Sequence, residues 1–381
     1  MSTSSIKTKL TSLPPADKYI LWSVLVLSAL GVVAVYSAVS FLAEAKSGGN
    51  TERFLLRHVV RIGLALGAMA VFSLIDYRKL ARFSRIGLLF SIGLLLAVQI
   101  VGVSSGGASR WLRFGSFGFQ PSDLAKVALV LYIGVLLVKK QRYITDLSRA
   151  FVPLLVWILA TTLFIGMEDL STATIVLASV LVMCFVGRVS LLHLSALPVA
   201  GVFLALLLLM ASPERAARME AYLGVKVFSN TEEADVFDEQ AEGYQAQQAR
   251  IAFAIGGWTG VGPGKSIQRD FLPAPYNDFI FAIIAEEYGI IIALGLLGLF
   301  ALILVRGFFH IARDAPDPLG LFLAVGFTTM IALYGFIHAG VTCGLFPVTG
   351  LPMPFVSYGG TSMVATGVMV GILLNISRHC D

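Results

Sequence analysis

Asp278 is the residue of this chain best placed to do chemistry. It lies in the run KSIQRDFLPAPYNDFIFAIIAEEYG (265–289), where a polar loop meets the first turn of a strongly apolar helix. A carboxylate at the rim of a hydrocarbon slab is expensive to desolvate, so it should be paired, ligated or reactive. Lys265 and Arg269 lie shortly upstream, as an anionic substrate at the same rim would require. An acid at a helix start is also favoured by the dipole alone, so position by itself leaves both roles open. Two turns deeper, Glu286 and Glu287 are either functional acids or structural partners for a cation across the bundle.

A second constellation is Gln120-Pro121-Ser122-Asp123-Leu124-Ala125-Lys126. Proline is pre-set for the first helical position, and Asp123 and Lys126, three apart, share a helix face. They are either a self-neutralising pair or a carboxylate holding a lysine that meets a phosphate. Just upstream, Arg110 and Arg113 flank Trp111, an interfacial anchor by type. The third constellation is the loop PVTGLPMPFVSYGGTS (347–362), whose three prolines and three glycines forbid a continuous helix. Irregular backbone near membrane depth packs on protein or lines a wet cavity. Ser357 and Thr361 are its candidate substrate-binding hydroxyls, with Thr361 or Ser362 the expected cap of the last helix. Gln248, in the run Tyr244–Gln248, is a candidate for sugar hydroxyls, and Asp169 reads as a helix cap. The run GVGPGKS (260–266) imitates a phosphate-binding loop, but its first required glycine would be Thr259 and no strand precedes it.

The elements that position these groups are transmembrane helices. The chain is 57% hydrophobic and 13% charged, more apolar than a soluble domain of this length requires. A window of about 19 residues gives ten spans, near 19–40, 58–75, 85–103, 121–138, 150–167, 170–187, 190–211, 277–305, 318–341 and 361–377. The fold class is therefore all-α and polytopic: one membrane domain over 1–381, with a tail at 1–17 and a large loop at 212–276 between spans seven and eight. With the N-terminus inside, fifteen lysines and arginines fall on cytoplasmic segments and six on short outer ones. Both termini are thus expected in the cytoplasm. The long outer loop holds nine acids and six bases. The three cysteines and five histidines are scattered without metal-ligand spacing. The net charge of +5 follows membrane topology and points to no nucleic acid.

Spans four, eight and ten would all begin at the outer face, with their positive dipole ends together. Arg110, Arg113, Lys126, Arg250, Lys265 and Arg269 add to that end, making an anion basin under the long loop. A diphosphate on a lipid tail fits such a basin.

At these residues the chain resembles the bacterial SEDS family (shape, elongation, division and sporulation), whose branches include FtsW and RodA. The resemblance rests on RWLRFGSFGFQPSDLAK, YQAQQARIAFAIGGWTGVGPGKS, YNDFIFAIIAEEYG and FPVTGLPMPFVSYGGTS, and runs from VYSAVS to GILLNIS. It implies a peptidoglycan glycosyltransferase of the bacterial cytoplasmic membrane, polymerising lipid II beside a class B penicillin-binding protein and other divisome or elongasome proteins. It places the family's essential aspartate at Asp278 and its conserved lysine at Lys126, with Asp123 replacing the usual glutamate. His338 stands where the family often has asparagine. Lys265–Phe271, Asn277 and the GILLNIS ending are closer to FtsW than to RodA. The mechanism this implies has Asp278 as general base on an acceptor sugar hydroxyl, with Arg110, Lys126, Lys265 and Arg269 steadying the leaving diphosphate. A divalent cation, Mg²⁺ or Mn²⁺, would suit the same oxygens; no organic cofactor is implied. The rival classes are a lipid II transporter and a non-catalytic division scaffold.

Overall fold

The computed structural model describes residues 14–46, 51–105, 108–114, 117–224 and 242–380. Lys7, Lys9 and most of the acidic run at 230–242 lie outside the described residues. Helices α1 (Lys18–Lys46), α2 (Thr51–Leu74), α3 (Tyr77–Arg82) and α4 (Ser84–Val101) come first. Strands β1 (Val103–Ser105), β2 (Ala108–Phe114) and β3 (Phe117–Phe119) follow. Then come α5 (Pro121–Lys140), α6 (Val152–Glu168), α7 (Leu170–Val186), α8 (Leu191–Leu194) and α9 (Ala196–Met210). The region expected as the large loop carries α10 (Pro213–Leu223) and α11 (Glu242–Gly256). The chain closes with α12 (Ile280–Arg306), α13 (Pro318–Thr342) and α14 (Thr361–Ser377).

Eight of the described helical segments are long and apolar enough to cross a bilayer, and α7 and α14 are apolar but shorter. Together they fall on the ten hydropathy peaks. The bundle is organised around α5 and α13, whose apolar stretches are 83% and 78% buried, against 11% for the segment containing α9. That contrast explains why α5 and α13 can carry polar side chains inward while α9 presents apolar side chains outward. Small residues permit close helix approach: a Cβ on Gly367 or Gly371 of α14 would meet the backbone of Ala65 or Met69 on α2 at 2.2 and 2.6 Å.

Three features depart from the hydropathy reading. The segment around Arg110 is a small antiparallel sheet in the order β1-β2-β3, with Val103 opposite Trp111 and Arg113 opposite Gly118. Strands of three to seven residues are invisible to a helix-length window. The eighth span starts at Ile280, leaving Asp278 on the turn before it, and it is interrupted at Gly289, whose φ is +80°. A glycine is required there, because a Cβ would lie 2.3 Å from the Trp258 carbonyl oxygen. Finally, Gly360 rather than Thr361 or Ser362 occupies the N-cap of α14, and its cap makes no side-chain hydrogen bond.

Candidate active site

Asp278 is fixed by its neighbours on both sides. Its amide and that of Asn277 donate to the Ala274 carbonyl at 3.2 and 3.1 Å, closing the turn that delivers the carboxylate. The Asn277 side-chain amide donates to Asp278 Oδ1 at 2.6 Å. The proline- and glycine-rich loop after α13 lies alongside this turn. Ser357 Oγ donates to the Asn277 carbonyl at 2.7 Å and accepts from the Met353 amide at 2.8 Å. The Tyr358 amide donates to the Tyr276 carbonyl at 2.9 Å. A Cβ on Gly350 would stand 3.8 Å from Asp278 Oδ2, so the loop forms one wall beside the carboxylate.

Burial pushes the Asp278 carboxyl up to about 6, against the opposing pull of Arg218 and then Arg110, with Asp169 adding to the rise. Burial thus outweighs the pull of the two guanidinium groups, and the net shift is upward. Arg110 reaches the site from β2, and its Nε is buried without a hydrogen-bond partner. Arg218 reaches it from α10, which is pinned at two points. Arg215 donates to the Gly166 and Met167 carbonyls at the C-terminal end of α6, at 2.8 and 2.5 Å, and Tyr222 Oη donates to the Leu345 carbonyl at 2.7 Å. Sequence reading passed over Arg218. The signal available was the spacing of Arg215 and Arg218 on one face of ERAARMEAYL, an amphipathic run inside the expected loop.

Beside the aspartate runs a buried polar chain. Lys126 Nζ donates to Asp123 Oδ1 at 2.7 Å, approaches Tyr334 Oη at 3.4 Å and sits over that ring at 4.7 Å. Thr361 Oγ1 donates to Asp123 Oδ2 at 2.6 Å. Tyr334 Oη donates to Thr172 Oγ1 at 3.3 Å, which donates to Asp169 Oδ2 at 3.1 Å. Asp169 also caps α7, accepting from the Ser171 and Thr172 amides at 2.9 and 3.1 Å. Four helices are tied by this chain, and a cavity lined by Lys126, Tyr334, Ser357, Gly359 and Ser362 opens next to it. Lys126 is thus paired with Asp123 and also lines the cavity.

The remaining candidates lie elsewhere. Arg269 donates to the Ser37 carbonyl at 3.2 Å and stands 3.4 Å from Asp270 and 4.0 Å from Glu287. Lys265 and Arg113 are exposed, Gln248 is half-buried on α11, and Arg250 packs at Gly344. Neither Lys265 nor Arg269 is among the charges that act on Asp278. Glu286 accepts from the Ile267 amide at 2.9 Å, the Gln268 amide at 3.3 Å and the Ser266 hydroxyl, while Glu287 accepts from the Ser37 hydroxyl. These two acids therefore anchor the glycine-rich turn. The amides of Val261 and Gly262 donate to the Glu286 and Glu287 carbonyls at 2.9 Å each, so the apparent phosphate loop spends its N–H groups on its own chain. His338 is buried, with Nδ1 2.7 Å from the Leu351 carbonyl. Among the described residues no group of three His, Cys, Asp or Glu side chains is placed to hold a metal ion.

Residues 18–381 match the model of the cell cycle protein family of FtsW, RodA and SpoVE. The chain belongs to this family. A relative from Geobacter metallireducens, named "Probable peptidoglycan glycosyltransferase FtsW", is 35% identical over 98% of this chain and 98% of its own. Stage V sporulation protein E of Bacillus subtilis is 36% identical over 93% of this chain and 95% of its own. Among solved structures, a chain from a peptidoglycan synthase complex, studied for the structural coordination of polymerization and crosslinking, superposes with a TM-score of 0.73 at 27% identity, covering 95% of this chain and 98% of that one. Thermus thermophilus RodA superposes with a TM-score of 0.69 at 26% identity, over 95% and 97%. As a member of the FtsW/RodA/SpoVE family, this chain is an integral membrane protein whose helical fold is that of these structures.

Proposed function

We propose that this chain is a peptidoglycan glycosyltransferase of the FtsW type, polymerising lipid II at the outer face of the bacterial cytoplasmic membrane with both termini inside. The observation that carries the reading is Asp278: a carboxylate raised to about 6 and flanked by Arg218 and Arg110. A general base is most effective when its pKa lies near the working pH. The name carried by relatives of full length supports the activity.

In this mechanism Asp278 takes the proton from the C4 hydroxyl of the acceptor sugar as that oxygen bonds to the donor's anomeric carbon. The bond to the undecaprenyl diphosphate breaks in the same displacement, and the anomeric centre inverts. Arg110 and Arg218 are the guanidinium groups that act on the Asp278 carboxylate, and the leaving diphosphate would develop charge between them. The proton then returns to solvent. A Mg²⁺ or Mn²⁺ ion shared with the diphosphate would supply further charge neutralisation. A class B penicillin-binding protein is the proposed partner, in septal synthesis, a reading supported by the likeness to a complex that couples polymerization to crosslinking.

The transporter alternative fits less well. Several ionisable groups inside the bundle are held in local clusters, Lys126 with Asp123 and Glu286 and Glu287 with the 266–268 turn. A through-path would need such groups spread across its depth. The test is polymerisation of labelled lipid II by purified protein with its cognate transpeptidase. Wild type should make glycan and Asp278→Asn should make none. Equal polymer from Asp278→Asn refutes the assignment, and lipid II translocation without polymer by wild type favours transport.

A further inference from the structure

A second group of cations lies at the same end of the bundle and takes no part in the chemistry above. Arg53, Arg57 and Arg61 recur every four residues along the first turns of α2, making one stripe. Arg53 and Arg57 are exposed and Arg61 is half-buried. Among the described residues, Arg78, Arg269, Arg306 and Arg313 each stand within ion-pair distance of a carboxylate, whereas Arg57 and Arg61 do not. Arg57 and Arg61 lie in the first half of a membrane-crossing helix, where guanidinium groups reach the rim and can meet an anion there.

The stripe is stiffened by aromatic rings and reaches the site. Arg61 lies over the Tyr358 ring at 4.2 Å and donates to the Gly359 carbonyl at 3.4 Å. Fully buried His58 stacks on Tyr358 at 5.6 Å, and Arg57 lies over Phe54 at 5.9 Å. Tyr358 in turn meets Tyr276 edge-on at 5.5 Å, two residues from Asp278. Gly359 is shared: its carbonyl takes the Arg61 hydrogen bond, and it also lines the Lys126 cavity. Basic groups therefore flank the aspartate from two directions, Arg110 and Arg218 on one hand and the α2 stripe, relayed through Tyr358, on the other.

Joining two lipid-linked saccharides brings two diphosphates to one membrane rim, and like charges that close repel unless each is separately neutralised. We infer that Arg57 and Arg61, backed by Tyr358, form a second site for a polyprenyl diphosphate, holding the headgroup of whichever lipid-linked substrate does not occupy the Arg110–Arg218 side. This rests on the polymerase reading above and goes further by dividing the two substrates between two cation clusters. The helix start adds its own positive end to the stripe, and a bidentate guanidinium suits phosphate oxygens.

The experiment counts undecaprenyl diphosphate bound to the full chain by native mass spectrometry, from nanodiscs of phosphatidylcholine with and without phosphatidylglycerol. Two equivalents are expected on wild type, one on Arg57→Gln/Arg61→Gln and one on Arg110→Gln/Arg218→Gln. Arg57→Lys/Arg61→Lys should recover part of the second. Because Arg57 is exposed, Arg57→Gln alone keeps the test open should the double variant fail to fold, and it should weaken the second equivalent several-fold. Two unweakened equivalents on either α2 variant overturn the inference. Loss of the second equivalent whenever phosphatidylglycerol is present also overturns it, since the stripe would then hold ordinary bilayer phosphate. Wild type that binds no undecaprenyl diphosphate fails the polymerase reading itself.

Discussion

The Ser357 hydroxyl donates to the carbonyl of Asn277 across 2.7 Å, and so joins the loop after α13 to the residue preceding Asp278. Because the same oxygen accepts from the Met353 amide, a single side chain holds together both the loop's internal turn and its seat beside the carboxylate.

Ser357→Ala removes that clasp and leaves a buried amide and carbonyl without their partner. Unfolding should become easier by about 1–3 kcal/mol. Polymerisation should fall more steeply than lipid II binding, because the carboxylate loses its orientation and the membrane-embedded contacts stay. A thermal melt and a kcat-against-KM comparison check this; unchanged kcat would show the clasp to be incidental.

The Lys126–Asp123 pair is buried, so breaking it from one side should be worse than removing both. Lys126→Met strands Asp123 and should cost about 3–5 kcal/mol, whereas Lys126→Met/Asp123→Leu should recover much of the loss. Thr361→Val should cost less than either single change, since it removes one donor to Asp123. Double-mutant stability in detergent measures the coupling, and simple additivity would contradict a buried pair.

Asp278 carries a stability signature of its own. Its folded-state pKa of about 6 lies above the ordinary value of 3.8, so the fold favours the protonated acid. That preference is fully present below about pH 4 and is lost as pH rises through about 6. Asp278→Asn should therefore raise the melting temperature at pH 8, reflecting on the order of 3 kcal/mol of stability, and leave it nearly unchanged at pH 4. Equal effects at both pH values would mean the carboxyl is not desolvated.

Much of this arrangement was legible in the sequence because hydrophobic length and local spacing are written along the chain. Pro121 opens α5 and Asp169 caps α7 as their residue types require. The Asp123–Lys126 pair follows from a separation of three on one helix face. What sequence left unread depends on contacts between distant segments. Lys265 and Arg269 are near Asp278 in number, yet the 266–268 turn is fastened to Glu286 and Glu287, and Arg269 is spent on Ser37 and Glu287. Arg218, sixty positions before Asp278, acts on that carboxylate because α10 is clamped across the bundle end by Arg215 and Tyr222. The small sheet bearing Arg110 escaped because its strands are too short for a periodicity to register.

The pH dependence of kcat/KM for lipid II polymerisation tests the assignment of the base most directly. Wild type should show an acid limb near pH 6, where the Asp278 carboxyl gains its proton. Arg218→Gln removes a cation that favours the ionised form, so its limb should move to higher pH. A rate flat from about pH 5 to 8, or a limb that Arg218→Gln leaves in place, would contradict a catalytic carboxylate at this position.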